Sequence, residues 1–287
     1  MKLLNAKQIC DVAAAQGFGV PALNNNGGSY DIGRAIIEAC QELQSPLIIA
    51  EYEPNLEYCG YDHAGAIIRL HAADTTIPLA IALDHGKTPQ SVMRAVRAGF
   101  SHVMIDYADQ PMAENIRGTQ QILDLVRPLG ISVEAEIGHI IKSSDASAQR
   151  GGTVSVEEAK EFASTVDVDL LAVANGSTHG IFQEQHGMDF ELIPKIRAAV
   201  KMPLVQHGTC GISMPDITRL VKAGMTKINF GEGIRMNYIR YWNEFSQTLN
   251  HEQHAWRISR AAKDRLKEDL KEIIRACGSE GKAHLIK

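Results

Sequence analysis

The 287-residue sequence has little of what a disulfide framework, a membrane span or a nucleic-acid surface would require. Its five cysteines, at positions 10, 40, 59, 210 and 277, show no Cys-x-x-Cys spacing. An odd, scattered set reads as reduced thiols in a cytoplasmic protein. No stretch approaches the roughly 18 apolar residues of a membrane helix. The opening MKLLNAKQICDVAAAQG is interrupted by Asn5, Lys7, Gln8 and Asp11, so it does not form the apolar run of a leader. Basic charge is in deficit: 29 Lys+Arg against 34 Asp+Glu leave a formal net charge of −5. That argues against general binding to nucleic acid or anionic membranes, and any phosphate recognition must be local. With no Gly/Ser-rich linker, composition break or sequence repeat, the chain is expected to form one domain over residues 1–287.

What is present is an alternation. Short apolar segments at 19–23, 46–50, 78–86, 102–106, 132–137, 169–174, 203–207 and 227–230 are each followed by a helical pattern. The stop signals fit, with Gly17, Gly99, Pro128, Gly130 and Gly224 closing helices. Eight such units in one chain imply a parallel sheet closed into an α/β (β/α)8 TIM barrel. Two extra C-terminal helices follow, the last with Ile258, Ala262, Leu266, Leu270, Ile273 and Cys277 on one stripe. A doubly wound open sheet is the alternative. The stretch 142–152 reads as a polar loop.

In such a barrel the site lies at the C-terminal ends of the strands. Those ends carry Asn24, Glu51, Asp84-His85, Asp106, Glu136, His179, His207 and Asn229, whereas strand starts carry Pro46, Pro78 and Pro203. His85, His179 and His207 come from three strands whose rims converge. One such histidine is more often a hydrogen-bonded core or surface residue. Three with an open position suit catalytic Zn²⁺. Glu134 and Glu136 are two apart and point the same way on a strand. With Asp106 they are expected to orient the histidines or hold a second cation, divalent or monovalent. The plainer reading is a polar layer neutralised by Lys or Arg. The loops His207-Gly208-Thr209-Cys210-Gly211 and Asn229-Phe230-Gly231-Glu232-Gly233 stand where barrels bind phosphate.

These residues resemble the class II, zinc-dependent ketose-bisphosphate aldolases of the fructose- and tagatose-bisphosphate type. The likeness runs through PALNNN, ALDHG, GFSHVMID, SVEAEIGH, EEAKEF, LLAVANGSTHG, DFELIPKIR, PLVQHGTCGI, AGMTKINF and CGSEGKA. The resemblance implies reversible cleavage of a ketose phosphate, a 1,6-bisphosphate in the family's type, to dihydroxyacetone phosphate and an aldehyde. By the same resemblance His85, His179 and His207 bind Zn²⁺. Asp84 is the acid/base at the C4 hydroxyl, and Asp106 and Glu136 match secondary cation positions. Gly180, Gly208 to Cys210 and Asn229 to Glu232 hold dihydroxyacetone phosphate, with Asn229 on the enediolate fragment, and Arg260 meets the far phosphate. A cytoplasmic homodimer or homotetramer is implied too.

Departures from the family pattern are Thr209-Cys210, Gly231-Glu232, Tyr52 in place of a small hydroxyl residue, and Asp145 as the nearest carboxylate where a loop glutamate pair is usual. They leave three rivals open: an aldolase for a ketose with a different or missing second phosphate, a metal-dependent hydrolase, and a non-catalytic barrel subunit.

Overall fold

Strands apolar on both faces are buried on both faces, and a closed parallel sheet wrapped in helices achieves this. The computed structural model describes residues 2–138, 152–180, 187–248 and 254–287 and has this arrangement. Its strands are β1 (Lys2–Leu3), β2 (Val20–Asn24), β3 (Leu47–Tyr52), β4 (Pro78–Gly86), β5 (His102–Ile105), β6 (Ser132–Ile137), β7 (Leu170–Val173), β8 (Leu204–Gln206) and β9 (Met225–Phe230). Strands β2 to β9 pair in parallel in chain order. The register Val20↔Lys227 to Leu23↔Phe230 joins β9 back to β2 and closes the barrel.

Local chemistry sets where the helices begin and end. Asn5, Thr88 and Ser155 form reciprocal capping boxes with Gln8, Ser91 and Glu158. Gly17, at φ 72°, ends the first helix in the left-handed conformation that glycine tolerates best.

The strand period of two divides the core into two layers. Outward side chains such as Ile49, Ile81, Val103 and Leu171 pack against helix residues including Ile36, Ile68, Val92 and Phe162. The inward layer is smaller, with Ala22, Ala50, Ala80, Ala82 and Ala172 beside Ile48, Leu170 and Val205. Helix Ala6–Gln16 contributes Ile9, Cys10 and Ala13 to that inner layer. Its start is tied to the starts of the strands: Leu4 N–H donates to Leu79 O, and Ala6 N–H to Ser132 Oγ. The bottom of the barrel is thereby covered by apolar packing, and the polar ends of the strands form the opposite rim.

Two elements differ from the sequence expectation. Strand β1 pairs with the start of β4, Lys2↔Pro78 and Leu3↔Leu79, making nine strands among the described residues. Two residues are too few to show a periodicity. Residues Glu53–Cys59 form a short helix with Pro54 in its first turn and no side-chain cap, so only the proline marked it. Asp145 and nearly all of the 142–152 stretch lie outside the described residues.

Candidate active site

Strand β4 ends the apolar run with Asp84 and His85. Consecutive residues of a regular strand face opposite sides, yet both of these line one cavity of about 440 Å³ at the rim. The backbone supplies the reason. Leu83 pairs with Val103 but Gly86 with Ile105, so β4 carries one extra residue over this span. His85 takes up the difference at φ 53°, which costs a non-glycine residue on the order of 1–2 kcal/mol. Gly86 must be a glycine here, since a Cβ would sit 2.7 Å from the Leu83 side chain and 2.8 Å from Met104 O.

The three histidines meet. Ring centroids lie 5.0 Å apart for His85–His179, 4.7 Å for His85–His207 and 5.9 Å for His179–His207. One ligand atom from each, with one from Glu136, falls within 4.8 Å of all the others. The remaining ring nitrogens of two of them are held by carboxylates. His85 Nδ1 lies 2.8 Å from Asp106 Oδ2, and His207 Nε2 lies 2.9 Å from Glu134 Oε1. Such contacts fix ring orientation and leave His85 Nε2 for the mouth, while His207 Nδ1 lies 3.4 Å from Asn229 Nδ2 on the cavity wall. Three imidazoles and a carboxylate are a donor set suited to a divalent transition metal, so these residues fit one.

The protonation pattern follows from the neighbours. Burial opposes a charge on His85, but the hydrogen bond to Asp106 and the charges of Asp84, Asp106 and Glu136 outweigh it and push its pKa up to about 9. A bound cation would compete with that proton. Burial would raise the Asp106 pKa, yet His85 and Lys87 together hold its carboxyl well below the usual range. Lys87 Nζ is 2.6 Å from Asp106 Oδ2, so Asp106 already has a cation beside it. His207 is kept neutral by burial and by His85 and Lys227, against the pull of Glu134.

Glu134 lies beneath the cavity rather than on it. It is fully buried, 2.8 Å from Lys227 Nζ and 3.2 Å from His102 Nε2. Both readings of Glu134 meet here, because the polar layer neutralised by a lysine is also what supports His207. Lys227 keeps the Glu134 carboxyl ionised despite the desolvation.

Asp84 is held by two amides: Asn229 Nδ2 donates to Oδ1 at 3.0 Å and Asn24 Nδ2 to Oδ2 at 3.4 Å. Asn229 Oδ1 is buried and has no hydrogen-bond partner among the described residues. Gly180, Gly208, Phe230, Gly231 and Glu232 also line the cavity. Gly208, at φ 65°, lies so close to Thr178 that a Cβ would stand 2.7 Å from its carbonyl oxygen. Thr209, Cys210 and Gly211 follow without lining the cavity, and the Thr209 hydroxyl donates to Asn229 O at 2.5 Å. The structure does not bring Arg260 to this cavity; it stands exposed on helix Ala255–Ala276, 3.7 Å from Asp264 Oδ2.

Lys87, Asp109 and Arg235 line the cavity without having been singled out by the sequence. Arg235 falls three residues after Glu232 in the first turn of helix Glu232–Thr248, a spacing that could have flagged it. Glu51, a rim acid by sequence, instead accepts from Asn25, Gly27 and Gly28 and fixes the loop after β2.

A family model for class II fructose-bisphosphate aldolase matches residues 4–282. The chain belongs to that family. It is a metal-dependent aldolase, a carbon–carbon lyase, which decides against the hydrolase and the non-catalytic subunit. The aldolase is similar to the crystal structure of the YdjI aldolase from Escherichia coli K12, with 28% identity over 98% of this chain and 99% of that one and a TM-score of 0.86. It shares the fold of a fructose-bisphosphate aldolase from Campylobacter jejuni, at 18% identity over 98% of this chain and 97% of that one, with a TM-score of 0.83. No described helix of the aldolase is long and apolar enough to cross a membrane.

Proposed function

We propose that this aldolase is zinc-dependent and reversibly cleaves a ketose phosphate, the 1,6-bisphosphates of the family type included, to dihydroxyacetone phosphate and an aldehyde. The observation that carries the reading is the placement of Asp84, fixed by two amides, on the wall that also holds His85, His179, His207 and Glu136. The three histidines and Glu136 hold the metal, which when bound supplies Lewis-acid polarisation of the ketone. Asp84 takes the C4 hydroxyl proton as C4 becomes the aldehyde carbon, and the C3–C4 bonding pair passes toward C2. In condensation it returns that proton. Asn229 holds Asp84 through Nδ2 and offers the buried Oδ1 to a hydroxyl of the three-carbon fragment. Gly180, Gly208 and Gly231 give the phosphate close approach to backbone N–H groups. Proton exchange at C3 falls to Asp145 on the sequence reading, outside the described residues.

The reading extends to a cytoplasmic homo-oligomer, dimer or tetramer. Buried free thiols at Cys10, Cys40 and Cys277, and exposed Ile239, Trp242 and Trp256 on the last helices, support it. The test is a pair of variants assayed for cleavage and for bound metal. Asp84→Ala is expected to lose cleavage and keep the metal, and His179→Ala to lose both. Full activity in metal-free His179→Ala would refute the assignment.

A further inference from the structure

The cavity is unevenly charged. Its lining carries the carboxylates Asp84, Asp106, Asp109, Glu136 and Glu232 against the cations Lys87 and Arg235. Lys87 is committed, with its ammonium 2.6 Å from Asp106 Oδ2 and 3.3 Å from Asp106 O. Arg235 is half-buried and makes no ion pair among the described residues. It stands just after β9, on the first turn of helix Glu232–Thr248, whose positive end faces the same wall as Gly208 and Gly231.

Lys87 follows β4, three steps from β9 around the barrel, and its ion pair with Asp106 draws it toward the end of β5. From β9 the closed sheet runs through β2, β3 and β4 to β5, four steps around eight strands, so the segments after β5 face those after β9 across the mouth. That opposite wall presents Asp106, already paired, and Asp109, which among the described residues accepts from the Gln110 amide and makes no ion pair. A second cavity of about 340 Å³ shares Lys87, Asp106 and Asp109 with the first and continues past Tyr107, Gln110 and Gln121. Its walls offer amides, a phenol ring and the Arg117–Glu114 ion pair, so its one further cation is already matched by a carboxylate and the remaining polar groups suit a chain of hydroxyls. A phosphate dianion there would meet Asp109 with no unpaired cation among the described residues to offset it.

Resting on the ketose-phosphate reading, we infer that the substrate is a ketose 1-phosphate whose far end is uncharged and hydroxylated. The C1 phosphate lies at Arg235 and the far hydroxyls reach toward the second cavity. The test is steady-state cleavage by the zinc-loaded enzyme of fructose 1-phosphate and tagatose 1-phosphate against the two corresponding 1,6-bisphosphates, with the reverse condensation of dihydroxyacetone phosphate on glyceraldehyde and on glyceraldehyde 3-phosphate. A preference of at least about tenfold in kcat/KM for the monophosphates and the uncharged aldehyde is expected. Equal or better turnover of the bisphosphates overturns this inference and leaves the aldolase reading standing. No cleavage of any of the four overturns the ketose-phosphate reading itself, and this inference with it. Arg235→Gln is expected to raise KM for dihydroxyacetone phosphate at least about tenfold with little change in KM for the aldehyde. A rise in the aldehyde KM alone would place Arg235 at the wrong end. Asp109→Asn should narrow the monophosphate preference by at least about threefold, and an unchanged ratio would count against the repulsion.

Discussion

The layer beneath the metal cluster invites a sharp perturbation, Lys227→Met. Lys227 and Glu134 are 2% and 0% exposed, and their charged atoms are 2.8 Å apart. Methionine fills much the same volume and leaves the Glu134 carboxylate buried without its cation. Truncating one partner of a buried pair costs about 3–5 kcal/mol, a large share of the roughly 5–15 kcal/mol that holds a domain folded. Glu134 would then take up a proton more readily and lose an oxygen that accepts from His207 or His102, so metal affinity should fall along with stability. Urea unfolding at pH 8, followed by circular dichroism, measures the first effect, and chelator competition measures the second. The double variant Glu134→Gln/Lys227→Met supplies the decisive comparison. Glutamine can accept from His207 Nε2 and donate to His102 Nε2, once His102 carries its proton on Nδ1 toward Ser132 Oγ, which lies 2.8 Å away. The double variant should therefore regain at least half of the lost stability. A single variant within about 1 kcal/mol of wild type, or a double variant no better than the single, would refute the account.

Two further outcomes follow from named contacts. Asp106→Asn replaces the acceptor that orients His85, and metal affinity by chelator competition should fall about 10–100-fold; a change under about threefold would show that Asp106 does not set the ring. Burial pushes Glu51 up from 4.5 to about 7, against the hydrogen bonds from Gly27, Gly28 and Asn25. Between those values the folded state binds more protons than the unfolded one, so the Glu51 contribution falls as pH rises through the window and levels off above it, by about 3 kcal/mol in total. Unfolding free energies measured from pH 4.5 to 8 should show this downward contribution, and Glu51→Gln should remove it; the same slope in the variant would rule it out.

Much of this architecture is legible in residue order because both periodicity and punctuation survive in one dimension. Helix starts at Asn5, Thr88 and Ser155 carry their own caps, and buried parallel strands are apolar throughout. The rim residues could be read by position alone, once the segments were counted as eight. Strand β1 and helix Glu53–Cys59 are too short for any period to register. The depth of Glu134 relative to Glu136 was also hidden, since two residues on the same face differ only by their height in the barrel. Lys227 was an available clue: a lysine inside an apolar strand, two before Asn229, needs an acid facing it. Lys87 and Asp109 could not be placed from sequence, because their side chains reach the mouth from loops whose path depends on the closed sheet, whereas Arg235 sits one helical turn after Glu232 and its spacing was readable. Arg260 shows the reverse, a position suggested by likeness that the fold leaves on an outer helix.

The extra residue in β4 bears on how such a barrel could be redesigned. A designer restoring regular pleat and register to this strand would remove the left-handed His85 and gain on the order of 1–2 kcal/mol. The same edit would turn either Asp84 or His85 outward to the helices, since a regular strand cannot show two neighbours to one side. The proton carrier and the metal ligand thus share a wall through a backbone irregularity rather than through their identities. Grafting all the rim side chains onto an idealised eight-stranded scaffold would give a more stable protein without an aldolase site. Transplanting Leu83 to Gly86 with its offset against β5, together with the other rim side chains, is what would keep Asp84 and His85 on one wall.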